Sequence, residues 1–308
     1  MTDASVAIVV RTKDRPDFLV RALASITGQT LGTWECVIVN DGGAAEPVDA
    51  AIAALPAEAR DRFRVLHAPV SRGRWVSANA GVLATSAPLL VLHDDDDSWH
   101  PEFLERSVGY LADHPDRRGV VSRIEILWEE RTRSGLEVVR REVFQPQLPA
   151  PTLSDTLLFN RFVPIAFVYR RSLHEELGLY DESLPVVGDW AFNLKVLARY
   201  ALDYLGDEPL AYWHQRVGVA GADGNSVIES RGTHALYDAR IRDAALRDYA
   251  DENGLGLLLY LTRFIDTRFV EVENGIRAEI VANSLWRRIG RRLHTDRLRR
   301  AGGRGSAT

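Results

Sequence analysis

The chain has 308 residues, enough for one large domain with an appendage or for two domains. Hydrophobic residues make up 46% and charged residues 26%, which excludes collagen-like, disordered and multi-span membrane proteins. The net charge of −5 excludes a nucleic-acid binder of the simple basic kind. The single cysteine, Cys36, cannot form an internal disulfide, and the first residues lack a signal-peptide pattern, so we expect a protein of the reducing cytosol.

Charge is distributed unevenly along the chain. Residues 286–304 hold eight arginines and one acidic residue, Asp296, so this tail carries +7 and the rest of the chain −12. Ile276, Ile280, Leu285, Ile289 and Leu293 share one face at helical spacing. This pattern predicts either a helix that meets anionic lipid or a helix packed on an acidic protein surface.

Short apolar runs alternate with helical patterns through the first hundred residues, which is typical of a parallel sheet wound with helices. The pattern predicts strands at 6–10, 36–39, 64–66 and 89–92, and helices from Pro16, over 48–55 and over 75–84. Ligands bind beyond the carboxyl ends of the strands in open α/β sheets. We therefore expect the functional residues at those strand ends.

The later part of the chain has a mixed pattern. It predicts a helix through 103–111, a strand at 120–126, a hairpin-like stretch to residue 144, a strand at 162–169 and a helix after Gly188. From Thr233 onward there is no proline, and Asn253-Gly254 would end one helix before the next. Residues 233–308 are therefore predicted to form a helical C-terminal extension.

Four consecutive aspartates, Asp94 to Asp97, follow the strand at 89–92. Adjacent carboxylates raise one another's pKa, so something should neutralise them, and a Mg²⁺ or Mn²⁺ ion that bridges phosphates would do so. A solvated turn that caps the next helix is the alternative. A calcium loop is excluded, because Trp99 occupies its glycine position and a strand precedes the turn.

Six blocks of sequence together resemble the family 2 glycosyltransferases of GT-A fold. They are "TKDRPDFLVRALASITGQT" after Arg11, "VIVNDGG", "SRGRWVSANAGV", "LLVLHDDDDSW", "RRSLHEELGLYDESLPVVGDWAFNLKVL" and "EPLAYWHQR". The resemblance covers roughly residues 5–230. It implies an α/β GT-A domain over 1–232, with a mixed, mostly parallel sheet flanked by helices. Its nucleotide-binding half would span about 1–100 and its acceptor half about 101–232.

The resemblance also implies roles for individual residues. The donor would be bound by Thr12, Arg15, Asp41, Asn79, Asp94 and Asp95, with Asp41 on the base and Asp94 on the ribose. Asp96 and His214 would bind the Mn²⁺ or Mg²⁺ ion. Asp189 would be the general base that takes the acceptor's proton. The structural alternatives are a turn at Asp41, a helix cap at Asp189 and a structural His214.

Two positions depart from the family pattern. Ala78 replaces an arginine that faces the nucleotide, so we expect Arg72 or Arg74 to supply that contact. Gly188 replaces the glutamate that commonly precedes the base. The predicted function is a metal-dependent inverting transfer of a sugar from a nucleotide-diphosphate sugar, UDP or dTDP by default, to a saccharide or lipid-linked acceptor in cell-surface polysaccharide or glycoconjugate synthesis.

Other functions compete with this prediction. A nucleotide- or glycan-binding scaffold with a decayed active site would explain Ala78 and Gly188. A sugar nucleotidyltransferase would need a glycine-rich loop after the first strand, and a dinucleotide-dependent oxidoreductase would need G-x-G-x-x-G there. The run Arg11 to Asp14 contains no glycine, which disfavours both enzymes. The oligomeric state cannot be predicted from these patterns.

Overall fold

The computed structural model describes residues 4–133, 135–216 and 231–302, with side chains described as far as Val281. The strands are β1 (Val6–Thr12), β2 (Trp34–Asn40), β3 (Phe63–His67), β4 (Leu89–Asp94), β5 (Ser98–Trp99), β6 (Gly119–Thr132), β7 (Gly135–Val143), β8 (Phe167–Arg170) and β9 (Asp203–Arg216). The helices are α1 (Pro16–Thr27), α2 (Ala45–Ala53), α3 (Ala57–Arg60), α4 (Arg74–Leu83), α5 (Phe103–Asp113), α6 (Leu153–Thr156), α7 (Ser172–Leu177), α8 (Gly188–Leu197), α9 (Arg231–Asn253) and α10 (Gly256–Gly302).

One mixed sheet organises the first part of the chain. Its strand order is β3-β2-β1-β4-β8-β6-β9-β5, and β7 pairs with β6. The strands β3, β2, β1 and β4 run parallel, whereas β8 is antiparallel to both β4 and β6. The chain leaves β1 towards β2 on one side and returns to β4 on the other, so the strand order reverses between β1 and β4. A crevice forms at the carboxyl ends of strands at such a point.

The centre of this sheet is fully buried. Val6, Ile8, Val9 and Val10 of β1 have no exposed surface, and burial of each side chain contributes about 1.5–3 kcal/mol. Helix α4 packs closely against this strand, since a Cβ atom at Gly81 would lie 2.2 Å from Val9 Cγ1. A rigid strand therefore carries Arg11 and Thr12 to the crevice.

One predicted strand differs from the observed structure. The run at 162–169 contains a 3₁₀ turn over Pro164–Ala166, and the strand β8 covers only Phe167–Arg170. Proline lacks the N–H group that a sheet ladder needs, and its fixed φ suits the first position of a helical turn. The predicted strand therefore began too early, at residue 162, whereas the observed strand begins at Phe167.

Two compact units make up the chain, residues 1–241 and 242–308. The second unit contains the C-terminal part of α9 and the whole of α10. The predicted domain boundary at residue 232 stays a prediction. Among the described residues, no helix combines the length and the apolar character needed to cross a membrane. The side chains of the predicted basic tail lie outside the described residues.

Candidate active site

A cavity of about 770 Å³ opens at the carboxyl ends of β1 and β4. Its volume lies within the range of small-molecule sites. Eight of the residues predicted from the sequence line its wall: Thr12, Arg15, Asp41, Arg74, Asp94, Asp95, Asp96 and Asp189. Three predicted residues, Arg72, Asn79 and His214, do not line this wall.

Asp41 follows β2 and is held in a nest of donors. Its carboxylate accepts hydrogen bonds from the backbone N–H of Arg72 at 2.8 Å, the backbone N–H of Gly73 at 3.1 Å and Ser71 Oγ at 2.8 Å. Burial alone would raise the pKa of Asp41, but these donors lower it below its usual value. Asp41 is therefore an ionised acceptor in the cavity, and Arg72 contributes its backbone while its side chain is exposed.

The register of β1 against β4 places Arg11 beside Asp94, and the two side chains form an ion pair. Thr12 Oγ1 donates to Asp95 at 2.8 Å, and the guanidinium group of Arg15 binds Asp95 at 3.0 Å and Asp96 at 2.7 Å. Guanidinium groups from the first strand and its loop thus neutralise three of the four aspartates.

A second arginine reaches Asp96 from the far end of the sheet. Arg216, the last residue of β9, pairs with Asp96 and has no exposed surface. Burial alone would raise the pKa of Asp96, but Arg15 and Arg216 lower it. Asp95 and Asp97 differ, because burial and the neighbouring carboxylates raise the pKa of both, against the attraction of Arg15 for Asp95. Unequal partners thus move the pKa of Asp96 in the opposite direction from those of Asp95 and Asp97.

His214 belongs to a buried polar network behind the cavity wall. Its Nδ1 lies 2.7 Å from Glu129 Oε1, its Nε2 lies 2.8 Å from Ser98 Oγ, and its backbone N–H donates to Asp97 at 2.9 Å. Burial lowers the pKa of His214, although the bond to Glu129 opposes this shift. Both ring nitrogens are therefore engaged within the protein, as the structural alternative for His214 requires.

Glu129 is a site residue that the sequence analysis missed. It lies on β6, and its carboxylate also pairs with Arg21 at 2.5 Å and Arg216 at 3.3 Å. The sequence around Glu129 contains no motif that marks it as a site residue, because the residues that it contacts lie far away in the chain, on α1 and β9. Arg216, in contrast, ends the block "EPLAYWHQR" and could have been singled out there.

Two carboxylate oxygens in the cavity are available to a divalent cation that a ligand would also bind. Asp94 and Asp96 both line the cavity, and Asp94 Oδ2 and Asp96 Oδ1 accept no hydrogen bond from the residues that the structure describes. Mg²⁺ usually takes one or two protein carboxylates and completes its shell with phosphate oxygens and water. No group of three or more His, Cys, Asp or Glu residues within 4–133, 135–216 and 231–302 could hold a metal. The two available oxygens therefore fit a cation whose remaining ligands come from a bound molecule and from water.

Asp189 lies across the cavity, in the first turn of α8. Asn160 Nδ2 donates a hydrogen bond to Asp189 Oδ2 at 2.8 Å, and Asn193 Nδ2 donates to Asn160 Oδ1 at 3.0 Å. Asn193 thereby fixes which end of the Asn160 amide faces the carboxylate. Burial raises the pKa of Asp189, although the Trp190 N–H, Arg11 and Arg74 oppose the shift. Such a carboxylate suits proton abstraction.

Close packing explains why position 188, directly before Asp189, is a glycine. A Cβ atom at Gly188 would lie 2.6 Å from Cε2 and Nε1 of Trp75, whose indole stacks on Tyr180 with ring centroids 5.2 Å apart. Trp75 thus occupies the space in which a longer side chain at position 188 would begin. The preceding residue, Val187, has a φ of +56°, a strained conformation for a β-branched residue.

Arg74 carries a positive charge with no ion-pair partner within 4 Å in the described part of the chain, and it lines the cavity. Burial and the nearby Arg11 lower its pKa, whereas Asp94 and Asp189 raise it. Arg11 in turn has two buried N–H groups, Nε and Nη1, without a hydrogen-bond partner. These two arginines leave donors available for an anionic ligand.

Asn79 differs from its predicted role on the nucleotide. Its side chain is 2% exposed, donates to the Tyr180 carbonyl and to Glu182 at 2.9 Å each, and accepts from the Tyr180 N–H at 3.0 Å. A buried amide saturated in this way joins α4 to the loop before α8. The structure therefore gives Asn79 a positioning role for that loop.

The chain is similar to several glycosyltransferases. It is 32% identical over 198 residues to the uncharacterized glycosyltransferase YwdF of Bacillus subtilis, covering 63% of this chain and 69% of YwdF. It is 29% identical over 198 residues to the PGL/p-HBAD biosynthesis glycosyltransferase of Mycobacterium bovis, covering 64% and 71%.

Solved structures of S. aureus TarS share the fold. The TarS 1-349 complex with UDP-GlcNAc superposes with a TM-score of 0.53 and 16% identity over 82% of this chain and 75% of that chain. Against TarS 1-349 alone, the chain spans 60% of that chain's length and 68% of its own, with 18% identity and a TM-score of 0.50. The expected GT-A fold is confirmed. Residues 5–178 match the sequence profile described as Glycosyl transferase family 2, and the chain belongs to this family of enzymes.

Proposed function

We propose that the chain transfers a sugar from a nucleoside diphosphate sugar to an acceptor hydroxyl, with inversion at the anomeric carbon and with a divalent cation. The observation that carries this proposal is one cavity in which Asp189 faces the acidic strand end of Asp94 and Asp96. A base on one side and a nucleotide-binding strand end on the other are what a direct displacement requires.

The donor would be bound by the β1 and β2 side of the cavity. Asp41, ionised in its nest of donors, would accept a hydrogen bond from the base, and Asp94 would bind the ribose. Arg15 and Arg74, which line the same cavity, would contact the diphosphate. UDP and dTDP sugars are the default donors, and TarS, a protein of the same fold, is described in complex with UDP and with UDP-GlcNAc.

Asp94 and Asp96 would hold the cation with their available oxygens. When bound, Mg²⁺ or Mn²⁺ supplies Lewis-acid stabilisation of the leaving nucleoside diphosphate. Arg74 would add its own positive charge to the same leaving group, because no described carboxylate lies within ion-pair distance of it. The two contributions are separable, since one depends on added metal and the other does not.

The acceptor hydroxyl would bind next to Asp189. As the hydroxyl oxygen forms its bond to the anomeric carbon, the bond from that carbon to the diphosphate oxygen breaks, and the hydroxyl proton moves to Asp189. Asn160 occupies Oδ2 of the carboxylate, so Oδ1 is the oxygen that takes the proton. The nucleoside diphosphate leaves with the electron pair of the broken bond.

The acceptor would be a saccharide or a lipid-linked molecule in cytoplasmic synthesis of a surface polysaccharide or glycoconjugate. Support comes from a relative's description as a PGL/p-HBAD biosynthesis enzyme. The arginine-rich tail 286–304 would touch anionic lipid at the inner face of the membrane. Sedimentation with anionic vesicles tests this contact, and deletion of residues 286–308 should abolish it. Unchanged sedimentation would refute it.

Calorimetric titration tests the donor side. UDP, dTDP and GDP are titrated into the protein with and without Mn²⁺, and the series is repeated on Asp96→Asn and on Asp113→Asn, an exposed control at the end of α5. We expect metal-dependent binding of one nucleotide that only Asp96→Asn abolishes. Failure of all three nucleotides to bind would favour the scaffold function. Full transferase activity in Asp189→Ala would remove that residue's role as the base.

A further inference from the structure

Helix α10 exposes a continuous apolar face. Eight large apolar side chains between residues 261 and 280 are each at least 40% exposed, and six of the eight share one face of this helix. These six are Leu261, Ile265, Phe269, Val272, Ile276 and Ile280. An apolar surface of this length exposed to water is a mark of a protein or membrane contact. We call these six residues the α10 stripe.

The spacing of the α10 stripe indicates what covers it. Successive members are 4, 4, 3, 4 and 4 residues apart, so the pattern repeats every eleven residues, as from Leu261 to Val272 and from Ile265 to Ile276. Eleven residues complete three helical turns, which keeps the stripe almost parallel to the helix axis. A straight stripe about 30 Å long, from 19 rises of 1.5 Å, fits another straight helix along its whole length.

The charges beside the stripe identify the partner helix. At this periodicity Arg268 lies on one edge of the stripe and Glu273, five residues later, on the other. In a parallel pair of helices, edge residues five positions apart on the two chains face each other. Arg268 of each copy would therefore meet Glu273 of the other, forming two complementary pairs from one sequence.

A lipid surface fits these edges less well. Interfacial helices that bind anionic lipid place Lys and Arg along both sides of the apolar face. The α10 stripe is instead flanked by both signs, with Glu273 on one edge and Glu279 beside Arg268 on the other. Arg268 at present pairs with Glu271 of its own helix, an exposed pair that contributes about 0–1 kcal/mol and can be exchanged.

We propose that the α10 stripe is the core of a parallel, in-register, two-stranded coiled coil between two copies of this chain. The occupant is a second copy because the stripe and its edge charges complement themselves. This inference is independent of the proposed reaction.

Light scattering after size-exclusion chromatography measures the oligomer directly. We expect the full chain to have twice its 34.4 kDa mass. Val272→Asp should halve the mass, since it places a charge in the stripe. Val270→Asp is the matched control, because Val270 is exposed on the same helix but lies off the stripe. A monomeric wild-type chain, or equal loss of the dimer in both variants, would overturn the proposal. Nucleotide binding and circular dichroism confirm that each variant is folded.

Cross-linking tests the parallel register. Ile276→Cys lies at the centre of the stripe and should form a disulfide between two copies under mild oxidation, whereas Val270→Cys should not. The native Cys36 is buried and does not interfere. Arg268→Glu should weaken the dimer at least several-fold, and the double variant with Glu273→Arg should restore it. A dimer that forms without the Ile276→Cys cross-link or without this rescue would refute the parallel arrangement.

Discussion

The hydrogen bond from Asn160 provides a sharp test of the proposed base. Among the described residues, Asn160 is the only one whose side chain donates to Asp189, at 2.8 Å. A hydrogen bond to a charged group contributes about 1.5–3 kcal/mol. Since one pKa unit corresponds to about 1.36 kcal/mol, loss of this bond should raise the pKa of Asp189 by about one to two units.

The direction of the effect follows from the chemistry of a general base. Burial already raises the pKa of Asp189, and the residue accepts a proton only when it is ionised. Asn160→Ala should therefore move the acidic limb of the pH dependence of kcat/KM to higher pH by the same one to two units. Transfer activity should be reduced by about ten-fold or more at pH values below the wild-type pKa and should recover above the new pKa.

A steady-state assay of sugar transfer across the pH range measures this limb. Asn79→Ala is the matched control, because Asn79 is also a buried amide that supports the loop before α8 but does not contact Asp189. It should lower the thermal stability and leave the limb in place. An Asn160→Ala enzyme whose rate falls equally at every pH would show that Asn160 acts only on structure. A rate that is unchanged at every pH, with the limb in place, would argue against Asp189 as the base.

Three further predictions follow from the cavity wall. Gly188→Ala should reduce the free energy of unfolding by about 1–3 kcal/mol because of the contact with Trp75. Gly109→Ala, in open space on α5, should increase it by about 0.5–1 kcal/mol. Equal effects of the two substitutions in denaturant titrations would contradict the packing argument. Arg74→Gln should weaken UDP binding by about ten-fold or more without changing uridine binding, while Arg72→Gln should change neither affinity. Calorimetric titration measures both affinities, and an unchanged UDP affinity would place Arg74 away from the diphosphate. Asp41 has a lowered pKa in the folded protein, so its contribution to stability is complete above its unfolded pKa of about 3.9 and is lost as the pH falls through the folded pKa. The free energy of unfolding in urea should therefore differ between Asp41→Asn and the wild type at neutral pH. The two values should converge in acid.

The sequence predicted the half of the site that is built from neighbours along the chain. Apolar runs ending in polar residues predicted β1, β2 and β4, and the ends of these strands carry Thr12, Asp41 and Asp94 as expected. These features are local, because a buried parallel strand needs an apolar run and its ligand-binding residues follow directly. The resemblance to a family added Asp189, whose position across the cavity no local pattern could predict.

The polar network behind Asp94 to Asp97 could not be predicted in the same way. Arg216 reaches Asp96 over 120 residues of sequence, and Glu129 reaches His214 over 85. Such pairs depend on the order of β6 and β9 in the sheet, which is set by packing and not by local composition. Asn79 shows the opposite case. It lies inside a recognisable motif that predicted a contact with the nucleotide, but its amide is bonded to Tyr180 and Glu182.

The charges around the cavity support a cation that arrives with the donor. Eight carboxyl groups meet five guanidinium groups and one ammonium group: Asp41, Asp94, Asp95, Asp96, Asp97, Glu129, Asp189 and Asp238 against Arg11, Arg15, Arg21, Arg74, Arg216 and Lys13. Burial raises the pKa of Asp95 and Asp97, so proton uptake by these two can balance the charges. A diphosphate adds negative charge that Arg74 and Lys13, which lack a described ion-pair partner, could offset only in part. A divalent ion at Asp94 and Asp96 would supply the remaining charge, which is why nucleotide and metal should bind together and each weakly alone.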